Sequence, residues 1–462
     1  MLPPQLIQSL EGIKGFNRKA FEEVHVSGEQ VTSVRLNPAK WSKVKNEMSN
    51  VSAAIHFSPL TFHSAVPWCE NGFYLSERPS FTFDPLFHAG AYYVQEASSM
   101  FLWEMLKQTV GTSTNKKVLD LCAAPGGKST LLASYFTDGL LVSNEVIKSR
   151  AAILTENCIK WGADNIVVTN NDPKDFQRLE NFFDVIVIDA PCSGSGLFRK
   201  DPTAVNEWSE ENVKLCSLRQ QRIVADVLPA LKQNGILIYS TCSYSKQEDE
   251  EVLDWLVEEL PVASCRLQVD PEWKIVEVES DKLKAFGYRF YPDKIKGEGF
   301  FIAAFRKTNG EEDAYHQEQT LQFPSKQELE QLRSFIPLPE AYKVFKQNEA
   351  LRAIKEIWLT AVKQLAKHLY IKKAGVELGT IKGKDLIPSH ELAVSMIPLE
   401  SLASVELSKE DALQYLKRKE FKAEAPKGWT LVKYCGLPLG WIKVLPNRIN
   451  NYYPQEWRIL KD

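Results

Sequence analysis

From residue 116 onward the chain alternates apolar runs of strand length with stretches of helical period. Residues 118–122, 140–144, 165–169, 184–189 and 236–240 read as strands, and 127–136, 147–161 and 211–231 as helices. A tight turn can join antiparallel strands, but parallel ones need a crossover long enough to hold a helix. Repetition of that unit predicts an α/β fold on a doubly wound, parallel, Rossmann-like sheet. Residues 300–305, Phe-Phe-Ile-Ala-Ala-Phe, read as a late edge strand that closes it. Such sheets bind ligands outside the carboxyl ends of their strands, so chemistry is to be sought there.

Two of those ends carry thiols. The run Phe183-Asp-Val-Ile-Val-Ile-Asp189 breaks at Pro191 and continues as Cys192-Ser-Gly-Ser-Gly196, a loop free to take unusual dihedrals. Gly235-Ile-Leu-Ile-Tyr-Ser-Thr-Cys242 ends the fifth strand in the same way. Beyond it, Ser245-Lys-Gln-Glu248 has the spacing of a capping box, so a helix is expected to start at Ser245. That reading gives Glu248 to the cap and sets a helix N-terminus beside Cys242, where it would favour the thiolate. The remaining cysteines (69, 122, 158, 216, 265 and 435) form no C-x-x-C pair and have no histidine at ligand spacing. No metal site is expected, and free thiols suit a reducing compartment, the cytoplasm.

The turn after the first strand reads Cys122-Ala123-Ala124-Pro125-Gly126-Gly127-Lys128-Ser129. Its Gly-Lys-Ser ending resembles a phosphate loop, but position 122, where that motif needs glycine, is cysteine. The dinucleotide fingerprint G-x-G-x-x-G is absent as well. What remains is a small-residue turn that lets a ligand approach the backbone at a helix N-terminus. The next strand ends in Asn144-Glu145, where a carboxylate can accept both ribose hydroxyl hydrogens, and the third is followed by Asp172, placed for an adenine amino group. A nucleoside without phosphate, held by acids, points to S-adenosylmethionine.

Strand-end thiols suit one chemistry in particular. Carbon 5 of a pyrimidine is a poor nucleophile until a thiolate adds to carbon 6 and makes it enamine-like. It can then take a methyl group, after which the proton on carbon 5 leaves and the thiolate is eliminated. That sequence needs a nucleophilic cysteine, an acid near ring nitrogen 3 and a group that assists release. A nitrogen or small-molecule methyltransferase on the same fold needs neither thiol, and a non-catalytic RNA-binding assembly factor leaves both without a task.

Three motifs, Leu121-Cys-Ala-Ala-Pro-Gly-Gly-Lys128, Asp189-Ala-Pro-Cys-Ser-Gly194 and Ser240-Thr-Cys-Ser243, make the chain similar to the Nol/Nop/Sun RNA 5-methylcytosine methyltransferases. The resemblance implies that Cys242 attacks carbon 6 and that Cys192 helps release the methylated product. It implies that Cys122 to Lys128, Glu145, Asp172 and Asp189 line the S-adenosylmethionine pocket, with Asp189 and Lys128 also facing the base. Arg35-Leu-Asn-Pro, Pro67-Trp-Cys-Glu-Asn-Gly and Tyr92-Tyr-Val-Gln-Glu-Ala-Ser-Ser99 resemble the family's N-terminal elements. Gly436-Leu-Pro-Leu-Gly-Trp-Ile-Lys443 and Asn451-Tyr-Tyr-Pro454 resemble the PUA-type ending of its bacterial RsmF group, which methylates small-subunit (16S) ribosomal RNA near the decoding region. A transfer RNA target is the alternative within the family. Two departures stand out: Glu248-Asp249 where the family often has Glu-Asn, and Pro292-Asp293 where it often has Pro-His.

Charge distribution fits a polyanionic partner. Residues 341–462 hold 21 Lys and Arg against 13 Asp and Glu, whereas residues 1–340 hold 35 against 46. The expected organisation is an α+β RNA-recognition region over 1–95, the catalytic domain over 96–307, and a polar linker over 308–325. An RNA-binding subdomain over 326–395, helical to about 368, and a PUA-like α+β domain over 396–462 follow. Beyond 368 the strands are expected to break at Gly375, Gly379, Gly436 and Gly440. No apolar run reaches the roughly 18 residues of a membrane span, and a monomer is expected.

Overall fold

The computed structural model describes residues 2–50, 60–310, 314 and 316–461. Its centre is a ten-stranded sheet whose strands are, in chain order, β1 (Lys117–Asp120), β2 (Leu140–Asn144), β3 (Ile166–Thr169), β4 (Phe183–Asp189), β5 (Leu231–Thr241), β6 (Val262–Cys265), β7 (Val276–Glu279), β8 (Phe286–Phe290), β9 (Phe300–Lys307) and β10 (Ile371–Ala374). In space they run β7-β8-β9-β5-β4-β1-β2-β3-β10, with β6 also on β9. The five from β3 to β5 are parallel, as the strand–helix alternation predicts. Chain order reverses between β1 and β4, and a crevice opens at such a switch point. Both faces are covered: Val118 and Leu119 are neighbours, each fully buried, yet they enter different hydrophobic clusters.

β9 is not an edge strand. It lies between β8 and β5, antiparallel to each, and residues Phe301 to Phe305 are fully buried. The unbroken apolar run carries the reason, because an edge with a solvated face alternates polar with apolar residues.

The N-terminal region forms a four-stranded antiparallel sheet in the order Phe62–Ala65, Gly72–Leu75, Ser33–Leu36, Tyr92–Val94. Buried polar side chains bolt it to the catalytic domain. Arg35 donates to Gln95 Oε1 (2.8 Å) and to Thr130 Oγ1 (2.5 Å) in helix Gly127–Tyr135. Asn37 donates to the carbonyls of Gly90 and Trp161, the latter the last residue of helix Lys148–Trp161. Gly90 has φ +70°, and a Cβ there would stand 1.8 Å from the Lys160 carbonyl, so only glycine permits this approach.

Residues 326–368 are not helical throughout. Helix Lys326–Phe335 is followed by a hairpin, Tyr342–Gln347 against Ala350–Lys355, before helix Leu359–His368. Asn348, at φ 55°, makes the tight turn that asparagine tolerates and most residues do not. Strand β10 then joins the catalytic sheet beside β3. Gly375 and Gly436 separate strands, whereas Gly379 and Gly440 lie within them, both at positive φ. Residues 311–313 and 315 of the expected linker lie outside the described residues; beyond them the ring of His316 packs on Phe182. Among the described residues no helix is long and apolar enough to cross a membrane, and no His/Cys/Asp/Glu group could hold a metal ion.

Candidate active site

The carboxyl ends of β1, β2, β4 and β5 open into a cavity of about 850 Å³. Every residue predicted to act lines it except one: Cys122, Ala123, Ala124, Pro125, Gly127, Lys128, Glu145, Asp172, Asp189, Cys192 and Cys242. Gly126 stands behind the wall as the left-handed cap, φ 118°, of helix Gly127–Tyr135. Tyr93, Gln95 and Glu96, in and just after strand Tyr92–Val94, Glu298 to Phe300 before and within β9, and Arg219 and Arg222 also line it. Sequence reasoning left these out, since none sits at the end of a parallel strand.

At the floor the two thiols meet. Cys192 Sγ lies 2.8 Å from Cys242 Sγ, and both cysteines are free. The contact with Cys242, and burial after it, push the Cys192 thiol well above its usual pKa. Close backbone packing sets this geometry: Gly196 N donates to the Cys242 carbonyl (2.8 Å), and a Cβ on Gly196 would stand 2.5 Å from the Gly299 carbonyl. Beside the thiols, Lys128 Nζ pairs with Asp189 Oδ2 at 2.8 Å, and Ser240 Oγ donates to Asp189 Oδ1 at the same distance.

Glu248 is not a helix cap. The helix spans Glu250–Glu259, and Ser245 Oγ makes no hydrogen bond. Fully buried, the Glu248 carboxylate instead accepts from Ser193 N (2.9 Å), Ser193 Oγ (2.5 Å), Ser243 Oγ (2.6 Å) and Gln220 Nε2 (3.0 Å). Buried donors on the neighbouring loop outcompete the local backbone because they have no water to turn to. One carboxylate thus clamps the residue after Cys192 to the residue after Cys242, and burial raises its own pKa. The helix expected to start at Ser245 therefore starts at Glu250 instead. Asp249, at the first family departure, accepts from Thr241 Oγ1 (2.7 Å) and pairs with the buried Arg289 (3.1 Å). Asp293, at the second, has one buried oxygen without a partner.

The other end of the cavity suits a nucleoside. Asn144 ties the strand ends there, accepting from Thr169 Oγ1 and Asn171 N while donating to the Leu121 and Asn171 carbonyls. Glu145 accepts from Ile147 N and has Arg150 at 3.5 Å. Asp172 caps the short helix Pro173–Arg178 through one oxygen, accepting from Lys174 N. Carboxylates thus face a turn of small residues, while Arg150 is engaged by Glu145 and by the Ala124 carbonyl. These acceptors fit the hydroxyls and amino groups of S-adenosylmethionine, and Arg150, the cation beside them, is already engaged. Behind the turn, Asp120 is fully buried with one oxygen bonded by Ser129 and the other unpartnered, and burial lifts its pKa to about 7.

Comparison with known proteins agrees region by region. Residues 108–306 match the model of the 16S rRNA methyltransferase RsmB/F family, residues 2–97 the N-terminal domain of 16S rRNA methyltransferase RsmF, and residues 403–459 the methyltransferase RsmF PUA domain. The chain is 32% identical to ribosomal RNA small subunit methyltransferase F of Psychromonas ingrahamii, with 85% of each covered. It is 31% identical to the protein of that name from Aeromonas hydrophila, over 92% of this chain and 90% of the relative. Among solved structures it resembles a methyltransferase homolog protein from Pyrococcus horikoshii, with 28% identity and a TM-score of 0.51, covering 66% of this chain and all of the other. Identity above 30% over most of both lengths, with family models on all three regions, places the chain in the RsmB/F family of 16S rRNA methyltransferases.

Proposed function

We propose that this protein methylates carbon 5 of a cytidine in 16S ribosomal RNA, near the decoding region, through a covalent adduct of Cys242 with carbon 6. The observation that carries the reading is the pair of free thiols 2.8 Å apart on the floor of the cavity. A target base must leave its stack to reach them. Cys242 as thiolate then forms the bond to carbon 6, and the electron pair of the 5,6 double bond moves to carbon 5. Asp189, which pairs with Lys128 and accepts from Ser240, is assigned the part of the acid near ring nitrogen 3 that steadies the charge developing on the ring.

S-adenosylmethionine, when bound against Cys122 to Lys128, Glu145 and Asp172, supplies the methyl group. Loss of the proton from carbon 5 then restores the double bond, and Cys242 leaves as thiolate. Cys192, in contact with the departing sulfur, assists that release. Relatives named for ribosomal RNA and the RsmF-type end domains support ribosomal over transfer RNA as the substrate. Bisulfite sequencing of total RNA from a strain lacking the protein tests the proposal. One or more protected cytidines in 16S RNA are expected to become convertible. Complete retention of 5-methylcytosine there overturns it.

A further inference from the structure

Of the cations that line the cavity, two are engaged and two are not. Lys128 pairs with Asp189, and Arg150 with Glu145. Arg219 and Arg222 make no hydrogen bond or ion pair among the described residues, and both are exposed. They stand at i and i+3 on helix Glu210–Val227, so they share one face. That face also presents Leu215, 61% exposed, and Leu218, 55% exposed, while Val213, Cys216, Gln220, Ile223 and Val224 are buried behind it.

The helix is locked to the thiols. Gln220, between the two arginines in sequence, donates to the Pro191 carbonyl (3.1 Å) and to Glu248 (3.0 Å), and accepts from Tyr239 (2.9 Å). The two guanidinium groups therefore stand in a set register to Cys192 and Cys242. A base drawn into the cavity leaves its sugar–phosphate backbone at the mouth, which is where they project. Unpaired cations there complement phosphate charge, and the exposed leucines offer an apolar seat to an unpaired base.

We infer that Arg219, Arg222, Leu215 and Leu218 form the docking surface for the single-stranded RNA backbone flanking the target nucleotide. This rests on the reading of the cavity as the site of an RNA methyltransferase. The test uses full-length protein and a fluorescent single-stranded RNA of about a dozen mixed nucleotides, with binding measured across a salt series. R219Q/R222Q should reduce the magnitude of the slope of log K against log salt by about 1.4, and weaken binding roughly 25-fold at about 0.1 M salt. R219K/R222K, which keeps both charges, should retain the slope. L215S/L218S should weaken binding at an unchanged slope. Calorimetry with S-adenosylmethionine should give the same affinity in all variants.

An unaltered slope in R219Q/R222Q overturns the inference. So does loss of affinity for the assembled subunit with none for free RNA, because the occupant would then be a protein. The two readings fail separately. Normal 5-methylcytosine formation with an unaltered slope rejects this surface alone, whereas a reduced slope in a protein that forms none rejects only the proposed reaction.

Discussion

Replacing Glu248 by alanine should loosen both thiol-bearing loops at once. The change removes the acceptor of four buried donors: Ser193 N, Ser193 Oγ, Ser243 Oγ and Gln220 Nε2. Gln220 retains the Pro191 carbonyl, and the two serine hydroxyls, already 3.4 Å apart, can turn toward each other. The Ser193 N–H has no such recourse. An orphaned buried donor costs about 1–3 kcal/mol, and loss of the charge-assisted bonds brings the local total to about 2–4 kcal/mol. Amide exchange over residues 190–197 and 241–249 should then accelerate by about 30-fold to about 1000-fold, since local opening sets its rate. Glu248→Gln keeps an acceptor for Ser193 N and a near-identical shape, so its exchange should stay within about fivefold of the parent. Parent-like exchange in Glu248→Ala would refute the clamp.

Three further outcomes follow from the same geometry. Glu145→Gln and Asp172→Asn, the second chosen because asparagine can still cap helix Pro173–Arg178, should each weaken S-adenosylmethionine binding by about 1–3 kcal/mol in calorimetry and leave RNA affinity unchanged. Asp120, with its folded pKa raised to about 7 from an ordinary value near 3.9, holds a proton in the folded state that the unfolded chain releases. Stability should therefore fall as pH rises from about 4 to about 7, and Asp120→Asn should flatten that part of a urea-denaturation profile. Deleting residues 326–462 should abolish cofactor binding as well as RNA binding, because it strips β10 from the sheet and Trp358, Val362 and Leu365 from the catalytic core. Cofactor affinity surviving that truncation would show the C-terminal region to be separable.

Local pattern made the parallel core legible. Apolar runs at β1 to β5 and the small-residue turn at Cys122 to Lys128 carry their meaning within a few residues. The same pattern also misleads where a distant partner wins. Ser245-x-x-Glu248 has every local mark of a cap, but the competing donors on Ser193 lie 55 residues away in sequence. Gln220 reads as one more polar residue of a helix, since nothing local announces Pro191 and Glu248 as its partners. For β9 the clue was present: a run apolar at every position belongs inside a sheet rather than at its rim. The β-branched and aromatic residues of Tyr342-Lys-Val-Phe-Lys-Gln likewise favour the strand that the structure has in place of a helix.

The two thiols bear the central claim, and trapping separates them. Incubated with substrate RNA and S-adenosylmethionine, Cys192→Ala should accumulate a protein–RNA complex that survives denaturing electrophoresis. Attack and methyl transfer still proceed in it, but release stalls. Cys242→Ala should bind RNA, form no such complex and transfer no methyl group, and Cys192→Ala/Cys242→Ala should behave like Cys242→Ala. Both truncations remove a single sulfur, so lost packing is a weak rival explanation. A trapped complex in Cys242→Ala but not in Cys192→Ala would reverse the roles, and full turnover by both single variants would contradict the thiol mechanism itself.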